Sequence, residues 1–591
     1  MFNFIEKLTR NKIYLVAFVI IILIGAFLRS YHFSDWLHFE MDQSRDAKII
    51  SFVVENGIDN LPLLGPRAGG TFLRLGPIFY YMEYASALVF GNTPSGMAVF
   101  NLILGIAAIP IFYFFCLRYF RKKIALSLTL LFSVSLFMVL HSRFAWNPNP
   151  LMFFSILTFY ALLRTVDREE KRKGLWLALS VLALTVSTQL HFLAFVSYPI
   201  IFLIFLLIKR PKITWKFWII STIIVLFLYT PFIINEIKTK GANYEEFIEA
   251  VSWKSSKSKR TFPEKILRAY EEISVGNFLI LSGSENNNFY QIKKVNLPEI
   301  KAGCPSNCRK AILWGIFPLF LFFASLILFF KSLISEKDHK RKDFLILGLF
   351  WFGLVYLVLL SLAFDISPRF FLLAVPAPFI FLGIVLDFLD KKIKYGKWVW
   401  ILLILFLTIS NLKYTKERFW QLENTPRESF KPTSDRILKE KNRVTLEQQL
   451  MIIDYVKEIY QKNKYPVYIN SDAYYRRSFL YHLEQIKIPR DDFRDVKIYE
   501  KGNYFLIYPT LSNFDKDIEK YNVDYNLIEK KQFGTLLVLR LIPKPESIQA
   551  IIQEFNEEKN ISTGINVPKR YTWEELFSEE TAGDNVNEED L

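Results

Sequence analysis

Cysteine is scarce in this chain: three residues, Cys116, Cys304 and Cys308, among 591. Three thiols cannot build a disulfide framework, which excludes the stapled architecture of small secreted domains. A metal centre on Cys304 and Cys308 would need two more ligands nearby, and none stands there. The Cys-Pro-Ser-Asn-Cys stretch therefore reads better as a Cys304–Cys308 disulfide, in a loop outside the cytoplasm where such a bond persists. The apolar runs are also largely uncharged in their middles. Transporters keep ionisable groups and broken helices near the bilayer midplane, so this absence counts against a transporter. The first apolar run lacks a small-residue cleavage site and many further runs follow, which makes it a retained helix rather than a signal peptide.

Apolar residues are abundant, at 52% hydrophobic and 17% aromatic. They fall in blocks of roughly 17–23 residues, the length that spans a hydrocarbon core as helix. The blocks lie at 13–30, 77–91, 95–117, 124–140, 149–165, 174–190, 192–208, 214–234, 311–330, 343–363, 369–389 and 396–412. The net charge of +16 would suggest nucleic acid in a soluble protein. Here the lysines and arginines sit in short loops between apolar blocks, as topology anchors, and no nucleic-acid partner is implied.

The basic clusters at 118–123, 164–173, 209–216, 331–342 and 391–397 place those loops in the cytoplasm. The loop 31–75, the segment His141 to Asn149, the Gln189–His191 corner, the insertion 235–310 and Asp365 to Arg369 then face outward. This alternation holds only if one of the blocks 77–91 and 95–117 does not cross fully. The first is short and opens on Gly76-Pro77, so it is expected to be re-entrant or tilted. The count is roughly 11–13 crossings. The domains expected are a membrane domain over 1–412, an extracytoplasmic α/β domain over 413–565 and an acidic, disordered tail over 566–591. In the α/β domain a capping-box signature opens a helix at 445–462, and strands are expected at 467–470, 504–508 and 535–542. It carries no catalytic motif.

The first outer loop holds the most chemistry. His38-Phe39-Glu40-Met41-Asp42-Gln43-Ser44-Arg45-Asp46 leads into a helical pattern ending near Asn56, and Asp42 and Asp46 share a helix face. The same spacing suits a plain helix N-cap with a solvated carboxylate beyond it. Arg67 and Arg74 flank Gly69-Gly70 on the side where basic residues are not favoured. They are candidates to pair with an anionic phosphate, or to snorkel to lipid headgroups.

Asp42-Gln43-x-Arg45-Asp46, just after the first membrane helix, resembles the first-loop acidic motif of the GT-C glycosyltransferases. The likeness is to bacterial relatives of protein O-mannosyltransferases and of the lipid A aminoarabinose transferase. Gly69 to Tyr81, His141 to Asn149, and Pro368-Arg369-Phe370-Phe371 with Pro376 are similar to later landmarks of the family, in order over roughly residues 1–412. The motifs together are specific for the superfamily and not for a substrate.

The resemblance implies a polytopic α-helical GT-C protein that inverts a sugar by direct displacement. The donor would be a polyprenyl-phosphate sugar, and the acceptor a hydroxyl of a protein, lipid or glycan at the outer face of the cytoplasmic membrane. Asp42 would be the base. Asp46, Glu40 and Gln43 would support it or the acceptor. Arg74 first, then Arg143, Arg369 and Arg67, would hold the donor phosphate. Tyr80, Tyr81, Trp146 and His191 would line the pocket; the aromatics serve equally as interfacial belt residues, and the histidine as a structural one. The family's usual Asp-Glu pair is Asp-Gln here. No cofactor is required on this reading, and a divalent Mg or Mn ion would rest on Asp42. A flippase or transporter of a lipid-linked sugar is the alternative.

Overall fold

The structure is a computed structural model, and it describes residues 12–69, 71–256, 261–284, 291–296, 299–303, 308–361, 366–433, 435–493, 497–511, 515–553 and 569–577. Cys304 lies outside the described residues, so the expected Cys304–Cys308 bond does too, as does Gly70.

Among the described residues the apolar blocks are helical, two of them in two pieces, because a chain in hydrocarbon must satisfy its own backbone polar groups. Among the described residues eight helices are long and apolar enough to cross a membrane, or nine if the bent pair Pro368–Ala374 and Ala377–Lys392 is one span. That pair turns by 63° where Pro376 and Pro378 interrupt the run. The expectation of roughly 11–13 crossings also counted three shorter elements: Ile78–Phe90, Leu151–Val166, and Lys122–Val134 with Leu136–His141, which is broken at Ser135. Ile78–Phe90 has 13 residues. That is about 20 Å of helix, too short to cross. Trp215–Lys238 buries almost nothing inside the protein and presents Ile219, Ile223, Leu226 and Phe227 outward, as a lipid-facing helix does.

The insertion 235–310, read as a polar loop, contains two helices, Ala242–Ser256 and Phe262–Ser282. The second buries Ile273, Phe278, Ile280 and Leu281 in the core. Its mixed first half hid the apolar second half. A hairpin of β1 (Gln291–Asn296) and β2 (Glu299–Gly303) follows.

The last spanning helix, Gly396–Asn424, runs on into the carboxy-terminal α/β unit. This unit packs helices Leu446–Asn463 and Ala473–Gln485 on a five-stranded sheet. The strands are β3 (Val467–Ser471), β4 (Arg490–Asp492), β5 (Asn503–Pro509), β6 (Tyr525–Phe533) and β7 (Leu536–Pro543), in the order β4-β3-β5-β7-β6. β3 runs parallel to β4 and β5, and β7 runs antiparallel to β5 and β6. The turn between β6 and β7 needs Gly534, which sits in the left-handed region where a side chain is strained. A Cβ there would also lie 1.9 Å from the Thr425 carbonyl oxygen. Gln448 donates to the carbonyls of Thr425 (3.1 Å) and Phe533 (2.7 Å), tying the sheet to the end of the membrane helix.

Residues 566–591 were expected to form a disordered tail. Within them, 569–577 are docked on the first loop, and the remainder lies outside the described residues.

Candidate active site

The first-loop helix, Met41–Asn56, begins where Glu40 and Gln43 cap each other. The Glu40 side chain accepts from the Gln43 backbone, a reciprocal capping box. Gln43 Oε1 in turn accepts from the Glu40 backbone N–H at 3.2 Å. Gln43 is therefore occupied with starting the helix. The capping position belongs to Glu40, and Asp42 in the first turn is released from that duty.

The Asp42 side chain is 39% exposed. Its Oδ1 accepts from Arg45 Nη1 at 3.1 Å and its Oδ2 from the Trp146 indole N–H at 3.2 Å. One turn on, Asp46 is buried, and its Oδ1 accepts from Arg45 Nε at 2.9 Å and the Tyr80 hydroxyl at 3.1 Å. Its Oδ2 is buried without a hydrogen bond. Burial, reinforced by the Asp42 carboxylate and opposed by Arg45, pushes the Asp46 carboxyl up to about 6. Arg45 thus bridges both carboxylates. Asp46 orients Arg45 from within, and Asp42 presents its oxygens outward.

Trp146 links Asp42 to Arg369, whose guanidinium lies 5.3 Å from the indole centroid. That separation is within cation–π range. A Cβ on Gly69 would come 3.5 Å from Arg369 Nη2, so the glycine run passes beside the same arginine. Asp42, Trp146, Arg369 and Gly69 are all at least partly exposed, and so is Arg67, which stacks over Phe72.

The other expected site residues make the following contacts. Arg143 is buried and donates to the carbonyls of Leu28, Arg29 and His32, capping the end of the first membrane helix. Arg74 is buried too. Its backbone exchanges hydrogen bonds with Asn243 at 2.7 and 3.1 Å, pinning the first loop to the helix Ala242–Ser256. His191 caps the helix Phe192–Lys209, with Nδ1 accepting from the Leu193 N–H at 3.1 Å. Tyr80 is buried against Asp46 and offers no stacking face to the surface, while the Tyr81 hydroxyl accepts from the Trp573 indole at 2.9 Å.

Several residues escaped sequence reasoning. Glu83 is buried on the helix Ile78–Phe90, within electrostatic reach of Asp46 and Arg45. A lone carboxylate in an apolar block was the available signal. The α/β unit grips the approach to Asp42. The Phe39 carbonyl accepts from Gln449 Nε2 (2.9 Å) and Ser478 Oγ (3.1 Å), and the Tyr475 hydroxyl donates to Glu40 at 3.0 Å. His38 lies between Glu440 (2.8 Å) and Glu40 (3.7 Å). Glu440 in turn is bound by Arg418 and by Arg443 (2.7 Å), both of which also hold Asp435. No local pattern announces pairs so far apart in sequence. Close by, a cavity lies between the helix Phe262–Ser282, Pro368 to Phe371 and Asp435 to Lys439, with Arg268, Glu272 and Arg436 in its wall.

Among the described residues, His38, Glu40 and Glu440 bring three possible metal-ligand atoms within 4.8 Å of one another. Their donor set is already engaged. Both imidazole nitrogens face carboxylates, and Glu440 carries two guanidinium groups that oppose a cation. Asp42 fits an ion no better: the second position is Gln43, and a cationic Arg45 already holds its Oδ1.

Comparison with known proteins gives two findings. Residues 11–237 match the model of the dolichyl-phosphate-mannose-protein mannosyltransferase family. The chain also superimposes on ArnT from Cupriavidus metallidurans bound to undecaprenyl phosphate, with a TM-score of 0.50 at 12% identity, covering 90% of this chain and 98% of that one. Apo ArnT from the same organism gives 0.49 at 11% identity, covering 89% and 97%. The apo oligosaccharyltransferase of Archaeoglobus fulgidus gives 0.44 at 12% identity, covering 84% and 69%. No curated protein matches by sequence. The match over the amino-terminal membrane helices and the ArnT-like course of 90% of the chain agree with the motifs of the first loop: this is a multi-pass membrane protein of the GT-C glycosyltransferase fold.

Proposed function

We propose that the chain is an inverting glycosyltransferase that moves a sugar from a polyprenyl-phosphate donor to an acceptor hydroxyl at the outer face of the cytoplasmic membrane. The observation that carries this reading is the setting of Asp42. A partly exposed carboxylate stands in the first turn of a capped helix, fixed by Arg45 and Trp146, with Arg369 stacked on the same indole. The ArnT-like fold supports a lipid-phosphate donor, since that protein's structure holds undecaprenyl phosphate.

In this mechanism the acceptor oxygen attacks the anomeric carbon while Asp42 takes its proton, a contribution typically on the order of 10²–10⁴-fold. The bond from the anomeric carbon to the phosphate oxygen breaks, and the polyprenyl phosphate leaves with the electron pair. Arg369, with Arg67 on the glycine loop, neutralises the charge that grows on it. Arg143 belongs to the scaffold, since its guanidinium holds three backbone carbonyls, and Arg74 stands behind the glycine loop, buried with its guanidinium toward the Gly65 carbonyl. Asp46 keeps Arg45 turned toward Asp42. No step passes through a metal ion. None of the observations favours a flippase of lipid-linked sugar.

The test is transfer by the purified protein from radiolabelled polyprenyl-phosphate hexoses and pentoses to a cell-envelope extract, with and without a chelator. Transfer that survives chelation is expected. Transfer from nucleotide sugars alone would refute the donor class. Loss on chelation that zinc, magnesium or manganese reverses would place an ion in the site.

A further inference from the structure

The segment Lys569 to Phe577 returns from the α/β unit to the first loop of the membrane domain. Thr572 forms an antiparallel bridge with Pro62. The flanking hydrogen bonds run from the Leu63 N–H to the Tyr571 carbonyl (2.8 Å) and from the Trp573 N–H to the Leu61 carbonyl (3.2 Å). Pro62 thus occupies a non-hydrogen-bonded position, where a missing amide proton costs nothing. Asn235 reads the segment's backbone as well: its Oδ1 accepts from the Tyr571 N–H at 3.0 Å and its Nδ2 donates to the Lys569 carbonyl at 3.4 Å. Asn235 is itself fully buried.

The segment reaches the candidate site through two side chains. The Trp573 indole donates to the Tyr81 hydroxyl at 2.9 Å, and the Arg570 guanidinium lies 6.0 Å from the Tyr80 ring centroid. Tyr80 is the residue whose hydroxyl holds Asp46, which holds Arg45 and through it Asp42. Asp42 keeps its exposed face, so the segment backs the site without covering it.

We propose that residues 569–577 are a built-in strap that completes the active site from behind, with Arg570 over Tyr80 and Trp573 on the adjoining Tyr81 as positioning residues for the helix turn that carries Tyr80 to Asp46 and Arg45. The proposal rests on the transferase reading. A strap of this kind stays docked through turnover, whereas a lid would have to open.

Two full-length variants test it. Trp573→Phe keeps the ring and removes the N–H donor to Tyr81. It should lower kcat by about fivefold, the worth of one ordinary hydrogen bond, with the KM for donor unchanged. Pro62→Cys combined with Thr572→Cys joins a non-hydrogen-bonded pair, whose Cα atoms stand roughly 4.5 Å apart and within disulfide reach. Oxidation should form the bond, read as a mobility shift reversed by reductant, and leave kcat at the reduced value. Failure to cross-link would show that the strap does not dock, whatever the enzyme does. A cross-linked protein that stops turning over would make the segment a lid and overturn the proposal, and so would an unchanged kcat in Trp573→Phe. Absence of transfer by the wild type, with cross-linking intact, would instead count against the transferase reading alone.

Discussion

Asp42→Asn should lower transfer by about 10²–10⁴-fold at unchanged protein yield and donor affinity, because it removes the base and little else. The amide keeps the shape of the carboxylate and one acceptor oxygen for Arg45 or Trp146, and the helix start is held by Glu40 and Gln43 rather than by position 42. The loss should fall on kcat, since proton removal belongs to the transition state and not to donor binding. Steady-state kinetics on the purified variant, with thermal unfolding as the control for folding, decides it. A variant that turns over within a few-fold of wild type would remove Asp42 as the base.

The second large effect is expected far from the reacting atoms. Arg418 is buried, pairs with Asp435 at 2.8 Å and also binds Glu440. Both carboxylates depend on Arg418 and Arg443 for compensation, and Glu440 is held well below the usual range, its burial outweighed by those two guanidinium groups and by His38. Arg418→Ala leaves buried negative charge with one partner fewer, a defect that typically costs about 3–5 kcal/mol. The α/β unit should unfold at a clearly lower temperature, and transfer should fall with it as Glu440 loses its hold on His38 beside Glu40. Arg418→Lys should recover only part of the loss, because a point charge cannot serve two carboxylates as a planar guanidinium does. Thermal unfolding followed by activity at a permissive temperature measures both. An unfolding temperature equal to wild type would show that the ion pairs carry no stability.

The membrane architecture was legible because its signal is local. Each apolar block names its own helix, and the capping residues at Thr445 and the short apolar run of β7 named theirs. The helix Phe262–Ser282 was not legible, since its charged first turns resemble a loop until its last turns are seen buried. At the site, Asp42, Asp46 and Trp146 could be found from the loop motifs, and the structure brings them together with Arg369. The division of labour among the arginines could not. Arg74, Arg143 and Arg369 look alike in sequence, and only burial separates those that bind backbone from the one that borders the surface. The docking of Lys569 to Phe577 was hidden for another reason. An acidic, polar end has the composition of a disordered tail, and the partners of this one lie far back in the chain, at Pro62 and Tyr81.

The most direct test of the central claim is the fate of the donor's bond. The purified protein is given a polyprenyl-phosphate sugar of defined anomeric configuration and an accepting extract, and both products are quantified. The account predicts one free polyprenyl phosphate for every sugar transferred, with the sugar attached in the opposite anomeric configuration. Transfer with retained configuration would contradict direct displacement by the acceptor oxygen with Asp42 as its base. Movement of the intact lipid-linked sugar across a vesicle membrane, with no bond broken, would contradict the transferase itself.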